Sequence, residues 1–228
     1  MMSRTIRPGI AVAALLLAPM AAQAADLSSP SYKAPAYSAP AYSNWTGFYV
    51  GLNGGYGFGK SSWTDATGLT TGDFNVEGGM VGGTLGYNLQ TGSWVWGLEG
   101  DLDASWMKGS NTTLCGTPGC ETKNSWLGTA RGRIGYAGWA NWLPYLTGGA
   151  AFGDIKANNA GLASASTTKV GYALGAGVEY AFMGNWSTKL EYLYADLGKA
   201  TCLAATCGSD TDITFKANIV RLGVNYRF

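Results

Sequence analysis

Residues 45–228 contain eight segments in which large apolar side chains alternate with small or polar ones. Within the segment 94–106, one face carries Trp, Leu and Ala, and the other carries Glu99, Asp101 and Asp103. A period of two is that of a β-strand, whose successive side chains point to opposite faces. We therefore predict eight strands, at about 45–58, 74–90, 94–106, 126–136, 144–152, 170–182, 186–197 and 213–228.

The alternation alone fits two architectures, a secreted soluble sandwich with the apolar faces inside and a transmembrane barrel with them outside. The connections between the predicted strands separate the two. They alternate between short ones, at 91–93, 137–143 and 183–185, and long ones, at about 59–73, 107–125, 153–169 and 198–212. Outer-membrane barrels have short periplasmic turns and long outer loops. Aromatic side chains also collect near both ends of the strands, as expected of two interfacial girdles.

The length of the chain limits the number of strands. Eight strands of about 11 residues leave ample chain for seven connections, whereas sixteen strands of about 10 leave too little for fifteen. A large porin is therefore excluded, and ten strands stay possible. We predict an all-β fold, namely one eight-stranded, antiparallel, up-and-down transmembrane β-barrel that spans residues 45–228.

The first 44 residues differ in character from the rest. Two arginines precede an apolar run that ends in a small-residue site, which predicts a signal peptide over residues 1–24, cleaved after Ala24. Residues 25–44 carry a proline at every fifth position among Ala, Ser and Tyr. Such a segment favours an extended periplasmic tether without a core of its own.

The composition excludes several kinds of chemistry. The chain contains no histidine, which removes Ser-His-Asp and Cys-His catalysis, HExxH zinc sites and His-ligated haem. A net charge of +1 gives no electrostatic basis for binding nucleic acid. We therefore predict no enzymatic activity, no cofactor and no nucleic-acid partner, although an outer-membrane enzyme without histidine is an alternative.

Strand alternation places ten ionisable side chains on the inner face of the predicted barrel. They are five acids and five bases, namely Glu99, Asp101, Asp103, Glu179, Glu191, Arg131, Arg133, Lys189, Arg221 and Arg227. Buried charges need partners, so we predict an ion-pair network that closes the lumen. Paired carboxylates such as Asp101 and Asp103 could in principle do acid–base work, but neighbouring arginines favour the structural role. A narrow, low-conductance diffusion channel is the alternative function.

Four cysteines lie in two of the predicted long loops, Cys115 and Cys120 in one, Cys202 and Cys207 in the other. Disulfides persist in exported proteins, and four cysteines permit three connectivities. We favour the two local pairs because each encloses a segment the length of a turn. A zinc site built from all four thiolates would require both loops to converge and the thiols to stay reduced.

Several short blocks occur in the order found in a known family, among them GGTLGYNLQ, WVWGLEGDLD, WLGTARGRIGYA, GYALGAGVEYAF and the terminal YRF. Over residues 44–228 the chain resembles small outer-membrane β-barrel proteins of the RopB type, which belong to the porin-family grouping and are related in architecture to the OmpA barrel. The resemblance implies an abundant surface barrel that contributes to envelope integrity and to host or environmental contact.

The end of the chain carries a further resemblance. Tyr226 and Phe228 resemble the C-terminal recognition signal of bacterial barrels. This implies the barrel-assembly machinery and periplasmic chaperones as partners during assembly. The other expected partners are outer-membrane lipid and an extracellular partner of the loops, which the sequence does not identify.

We predict that digestion of the unreduced protein releases peptides in which Cys115 is linked to Cys120 and Cys202 to Cys207. A closed loop of about six residues stabilises a fold by roughly 2 kcal/mol in the chain-entropy model. Reduction should therefore raise the protease sensitivity of the loops and leave the strand content unchanged. Mass spectrometry of the peptides tests the pairing, and a link from Cys115 to Cys202 would contradict it.

Overall fold

The structure is a computed structural model that describes residues 43–112, 120–159, 165–202 and 211–228. The predicted signal peptide with its cleavage site after Ala24, and nearly all of the predicted tether, lie outside these residues. So do Cys115 and Cys207, and the disulfide pairing therefore stays a prediction.

Eight antiparallel strands form one closed barrel. Each strand pairs with its neighbours in the sequence, and β1 pairs with β8 to close the sheet. The predicted fold class, number of strands and up-and-down order are thereby confirmed. The strands are β1 Gly47–Asp65, β2 Phe74–Thr91, β3 Trp94–Asn111, β4 Cys120–Tyr136, β5 Trp142–Asn159, β6 Ala165–Met183, β7 Trp186–Cys202 and β8 Thr211–Arg227. The described part of the chain holds no helix long and apolar enough to span a membrane.

Short connections join the strands at the end of the barrel where the C-terminus lies, as predicted. The turn between β2 and β3 is formed by residues 92–93, and Gly92 has a φ of +61°. Tight hairpins require positive φ, a region that glycine enters without a steric penalty. The N-terminal end of β1 lies at the same end, where Phe228 N donates to Phe48 O over 2.9 Å.

The strands are longer than the sequence predicted. They contain 17 to 19 residues, whereas about 9 to 11 residues cross a bilayer. The pairing of β1 with β8, for example, continues without a break from Tyr49↔Arg227 to Asp65↔Thr211. Much of what was predicted as long loops at 59–73, 107–125, 153–169 and 198–212 is therefore paired strand, and that prediction was wrong in extent.

The reason for this error is that the alternation changes its sense along each strand. Near the short turns the outward side chains are apolar, as Leu52 and Val224 are, being 75% and 42% exposed. Toward the long connections the outward side chains become polar, as at Lys60, and the inward ones become apolar, as at Phe215. The barrel thus has a lipid-facing part near the short turns and an outer part constructed like a soluble barrel.

Two apolar clusters fill the interior at its two ends. The cluster toward the long connections, which we name the outer core, contains Trp63, Phe74, Val76, Met80, Met107, Leu127, Ala151, Ile155, Ala173, Leu193, Ala195, Leu197, Ile213, Phe215, Ala217 and Ile219. The cluster at the short-turn end, which we name the inner plug, contains Trp45, Val95, Ala137, Leu143 and Ala181. The inward positions of β3 run from Val95 in the plug to Met107 in the outer core. The acidic residues of β3 lie between these two clusters.

Trp45 fills the short-turn mouth of the barrel. It precedes β1, is fully buried, and its backbone N–H donates to Gln90 Oε1 over 2.9 Å. The guanidinium carbon of Arg227 lies 5.1 Å from the centre of the indole ring. The first described residues therefore fold back into the lumen instead of leaving the barrel directly.

We predict that Phe215→Ala lowers the free energy of unfolding by about 3 to 5 kcal/mol, because it leaves a cavity in the outer core. Thr214→Ala, on the adjacent outward position, should change it by less than about 0.5 kcal/mol. Urea unfolding in lipid vesicles, followed by tryptophan fluorescence, measures both. Equal effects of the two substitutions would show that the outer part is not packed around an apolar interior.

Candidate functional site

Between the outer core and the inner plug lies a layer of charged side chains, which we name the charge network. It contains all of the ten ionisable residues predicted for the interior except Arg227. Each member is no more than 6% exposed. The members are Glu99, Asp101, Asp103, Arg131, Arg133, Glu179, Lys189, Glu191 and Arg221.

Arg131 joins three strands through its guanidinium group. Its Nη2 lies 2.5 Å from Glu99 Oε1 and 2.6 Å from Asp101 Oδ2, both on β3. Its Nη1 lies 3.2 Å from Glu191 Oε1 on β7, and its Nε donates to Thr129 Oγ1 over 2.9 Å. One cation thus crosses the lumen from β4 to β7.

Arg221 on β8 binds from the opposite wall of the barrel. Its Nη1 lies 3.0 Å from Asp103 Oδ2, and its Nη2 lies 3.0 Å from Asp101 Oδ2 and 2.7 Å from Glu191 Oε1. Arg131 and Arg221 therefore share two carboxylates. Among the described residues, Asp103 Oδ1 accepts no hydrogen bond, which makes Asp103 the least compensated acid of the network.

A second group of contacts lies closer to the inner plug. Arg133 Nη2 lies 2.8 Å from Glu179 Oε2, and its guanidinium carbon lies 4.0 Å from the centre of the Tyr145 ring. Ser187 and Asn225 both donate to Glu179 Oε1, over 2.6 and 2.8 Å. Every charge in this group therefore has a hydrogen-bonding partner.

Glu99 links the two groups. Besides Arg131, its carboxylate accepts hydrogen bonds at Oε2 from Lys189 Nζ at 3.0 Å and from the Tyr49 hydroxyl at 2.7 Å. The hydroxyl of Tyr49 in turn accepts a hydrogen bond from Arg133 Nη1 over 3.2 Å. The interior charges consequently form one connected network rather than separate pairs.

Arg227 does not enter the network as the sequence predicted. It forms no ion pair among the described residues, and it is only partly buried, against Trp45 at the short-turn mouth. The alternation gave the correct face of β8. The predicted position of Arg227 along the barrel axis was wrong, because Arg227 is the last residue of its strand and the charge network begins farther inside the barrel.

Tyr49 and Tyr145 also belong to the network, although neither was predicted to lie inside the barrel. Both are buried, and both bind its carboxylates, Tyr145 through Glu191 Oε2 at 2.9 Å. Aromatic residues in a membrane strand suggest contact with lipid, and for this reason the sequence did not indicate that these two tyrosines bind buried carboxylates. Strand parity would have found them, since Tyr49 shares the inward face of Asn53. The room for its ring comes from Gly86, where a Cβ atom would collide with the ring.

The two residues of the resembled assembly signal lie at the closing seam of the barrel. The Tyr226 ring contacts the rings of Trp186 and Phe228, with centroid distances of 5.0 and 5.3 Å. Phe228 itself is 72% exposed at the short-turn end. The terminal aromatic side chain is therefore open to contact from outside the barrel.

Comparison with known proteins agrees with this architecture. The model of the family described as "Outer membrane protein beta-barrel domain" matches residues 10–228. The chain belongs to this family. The 31 kDa outer-membrane immunogenic protein of Brucella melitensis is 39% identical over 91% of this chain and 93% of its own length. The 22 kDa outer membrane protein of Rhizobium leguminosarum is 35% identical over 81% of this chain and 79% of its own length.

A solved barrel shares the fold of this outer-membrane protein. The crystal structure of outer membrane protein OprG from Pseudomonas aeruginosa superposes with a TM-score of 0.58 at 15% identity. The match covers 82% of this chain and 99% of OprG. With these relatives, the location in the outer membrane is established, and the outward apolar side chains of the lipid-facing part contact its lipid.

The chemistry available to this outer-membrane barrel follows from the enclosure of its charges. Buried ion pairs contribute little net stability, but the loss of one partner leaves an uncompensated charge. No described residues form a group of three or more potential metal ligands. The network therefore consists of buried charges that are paired with one another inside the barrel.

We predict that Arg131→Ala lowers the free energy of unfolding by about 3 to 5 kcal/mol, because three carboxylates lose a shared partner. Arg131→Lys should recover only part of this loss, since one ammonium group cannot reach Glu191 on β7 and the carboxylates of β3 with separate nitrogen atoms. Lys123→Ala, which breaks the exposed pair with Glu121, should cost less than about 1 kcal/mol. Urea titrations of the three variants in lipid vesicles measure the differences, and a small effect of Arg131→Ala would contradict a structural role.

Proposed function

We propose that the protein is a structural and surface-interaction barrel with a closed lumen, contributing to envelope integrity and to contact with a host or the environment. The observation that carries the proposal is the filling of the lumen along its whole length. The outer core, the charge network and the inner plug follow one another without a break in the inward positions of β3. An eight-stranded barrel is only wide enough for its side chains, so these three layers leave no room for a solute path.

The outer part supports the surface role. Each strand continues about six residues beyond the lipid-facing part, which corresponds to roughly 20 Å at 3.3 Å per residue. The strand ends that carry the long connections are thereby held away from the membrane, on the side where an extracellular partner would reach them. The Brucella relatives are named immunogenic outer-membrane proteins, which is consistent with surface exposure of this part in the present protein as well.

The residues at the closing seam support the proposal that the barrel-assembly machinery binds this protein during assembly. Periplasmic chaperones would bind it at an earlier stage. The exposed Phe228 ring and the adjacent Tyr226 offer an apolar contact surface at the short-turn end of the barrel. We assign these two residues to recognition during assembly. Outer-membrane lipid then becomes the permanent partner of the lipid-facing part.

A narrow diffusion channel is the competing function, and it requires a continuous water path. In the present structure such a path would have to pass Trp45, which is fully buried, and Arg131, which is held by three carboxylates. Arg131 moves aside only if several hydrogen bonds break, and Trp45 only if its indole ring loses its packing in the inner plug. The closed barrel is therefore the better supported reading.

We predict conductance far below that of a sixteen-stranded porin and no uptake of sugars in liposome swelling. The substitution Trp45→Ala widens only the short-turn mouth. The lumen of this variant should remain closed, since the charge network and the outer core stay in place. Planar-bilayer recordings of wild type and variant, with a general porin as positive control, measure this. Large and steady single-channel currents from the wild-type protein would establish the channel function instead.

A further inference from the structure

The charge network contains one more acid than it has bases. Its members are five carboxylates and four cations, because Arg227 lies apart from it at the short-turn mouth. If all nine groups were ionised, the interior would hold one negative charge in excess. An uncompensated charge in a closed interior is strongly destabilising. The described part of the interior therefore requires either a further cation or the neutralisation of one carboxylate.

The contacts identify Asp103 as the acid in excess. Its only ion pair among the described residues joins Oδ2 to Arg221 at 3.0 Å, and Arg221 also binds Asp101 and Glu191. These last two carboxylates are each bound by a second cation, Arg131. The other oxygen of Asp103, Oδ1, is buried and accepts no hydrogen bond from the described residues.

A second buried oxygen without a hydrogen bond lies beside Asp103. Asn53, Gly82 and Asp103 are directly opposite one another on β1, β2 and β3, and the two polar side chains point inward. A Cβ atom on Gly82 would collide with Asp103 Oδ1, so the carboxylate reaches over Gly82 toward β1. Asn53 is among the groups that interact with this carboxylate, and Asn53 Oδ1 likewise has no partner among the described residues.

The hydrogen bonds around Asn53 determine which end of its amide is free. Its Nδ2 donates to Thr84 Oγ1 over 3.2 Å, and that hydroxyl donates in turn to Asp101 Oδ1 over 2.8 Å. A threonine hydroxyl has a single hydrogen, so its oxygen must accept from the amide nitrogen. The free end of Asn53 is therefore its carbonyl oxygen. We name the corner that holds Asn53 Oδ1 and Asp103 Oδ1, two acceptors without a described donor, the acceptor pair.

We propose that the acceptor pair is a proton-binding site, in which Asp103 holds a proton on Oδ1 and donates it to Asn53 Oδ1. One proton removes the negative charge in excess and gives both oxygens a hydrogen bond. Asp103 Oδ2 stays an acceptor for Arg221. The inference goes beyond the proposed function and does not rest on it, because it follows from the contacts of the interior alone.

A metal ion is the competing occupant of this corner. Hard cations are bound by several oxygen atoms at once, and the acceptor pair offers two. The described chain also holds no cluster of three or more Cys, Asp or Glu side chains that could bind a metal. Arg221 and Lys189 would repel a metal ion placed beside Asp103, whereas a proton bonded to Oδ1 needs no further ligand.

The proton makes the contribution of Asp103 to stability depend on pH. Charged groups act on Asp103 from β8 and β7, namely Arg221 and Lys189, and from its own strand, namely Asp101, whereas Leu127 faces it from β4. An aspartate in an unfolded chain ionises near about pH 4, so above this pH the folded barrel binds one proton more than the unfolded chain. Raising the pH therefore favours unfolding, until the folded barrel also releases the proton.

Substitution by asparagine tests the site, because an amide resembles a protonated carboxyl group in shape and carries no charge. Asp101→Asn is the matched control, since Asp101 is a second buried carboxylate of β3 that binds Arg221. Asp103→Asn should leave the unfolding equilibrium constant in urea at pH 7 within about threefold of the wild type. Asp101→Asn should raise it at least about a hundredfold, because two arginines lose a charged partner. Equal destabilisation by the two substitutions would show that Asp103 is ionised.

Repeating the urea titrations in lipid vesicles between about pH 5 and 7 tests the pH dependence. The unfolding equilibrium constant of the wild type should rise about tenfold per pH unit relative to that of Asp103→Asn. A ratio that stays constant would overturn the inference. Replacement of sodium chloride by choline chloride should change neither protein. Stability of the wild type that depends on sodium and not on pH would instead establish a metal ion in the corner.

Infrared spectroscopy of the protein with isotope-labelled aspartate detects the proton directly. A protonated carboxylic acid has a C=O stretching band that ionised carboxylates lack. The wild type at pH 7 should show this band, Asp103→Asn should lack it, and Asn53→Ala should shift it because the O–H group loses its acceptor. A gel-mobility shift on heating verifies that each variant is folded. Absence of the band from the wild type, or its persistence in Asp103→Asn, would overturn the inference even if Asp101→Asn fails to fold.

Discussion

Closure of the sheet is the constraint on which the rest of this structure depends. In lipid every backbone N–H and C=O group must find a partner within the protein, and β1 meets β8 to leave no free edge. Closure with eight strands produces an interior that only side chains can fill. The inward face of every strand must therefore carry side chains whose volumes and charges match those of the other seven.

The charge network meets this requirement at a cost in desolvation. Paired charges in a closed interior add little to stability relative to apolar residues, but they tolerate few alternative arrangements. A shift of one strand by one residue would turn its inward charges toward lipid. Arg131 and Arg221, which share Asp101 and Glu191, thereby tie β3, β4, β7 and β8 to a single register.

The sequence allowed the barrel to be predicted because a period of two is a strong signal over eight segments. It also gave the correct face for the charged residues of β3, β4, β6, β7 and β8, since parity is independent of tertiary detail. The outer part escaped prediction because its outward residues, such as Lys60 and Thr64, are typical of loops, while its inward residues resemble those of a soluble core. The place of Tyr49 in the charge network was not predicted, because a tyrosine side chain is equally suited to lipid contact and to buried hydrogen bonding.

Because the outer part has an apolar interior of its own, the connections at the outer end can change in sequence or length without disturbing the membrane-embedded part. The outer core, held by residues such as Trp63 and Phe215, lies between the connections and the membrane-embedded layers. Replacement or lengthening of a connection therefore perturbs the strand ends that leave this core, while the lipid-facing layers keep their packing. The protein in this way separates a membrane anchor from the strand ends that carry its connections, each with an apolar interior of its own.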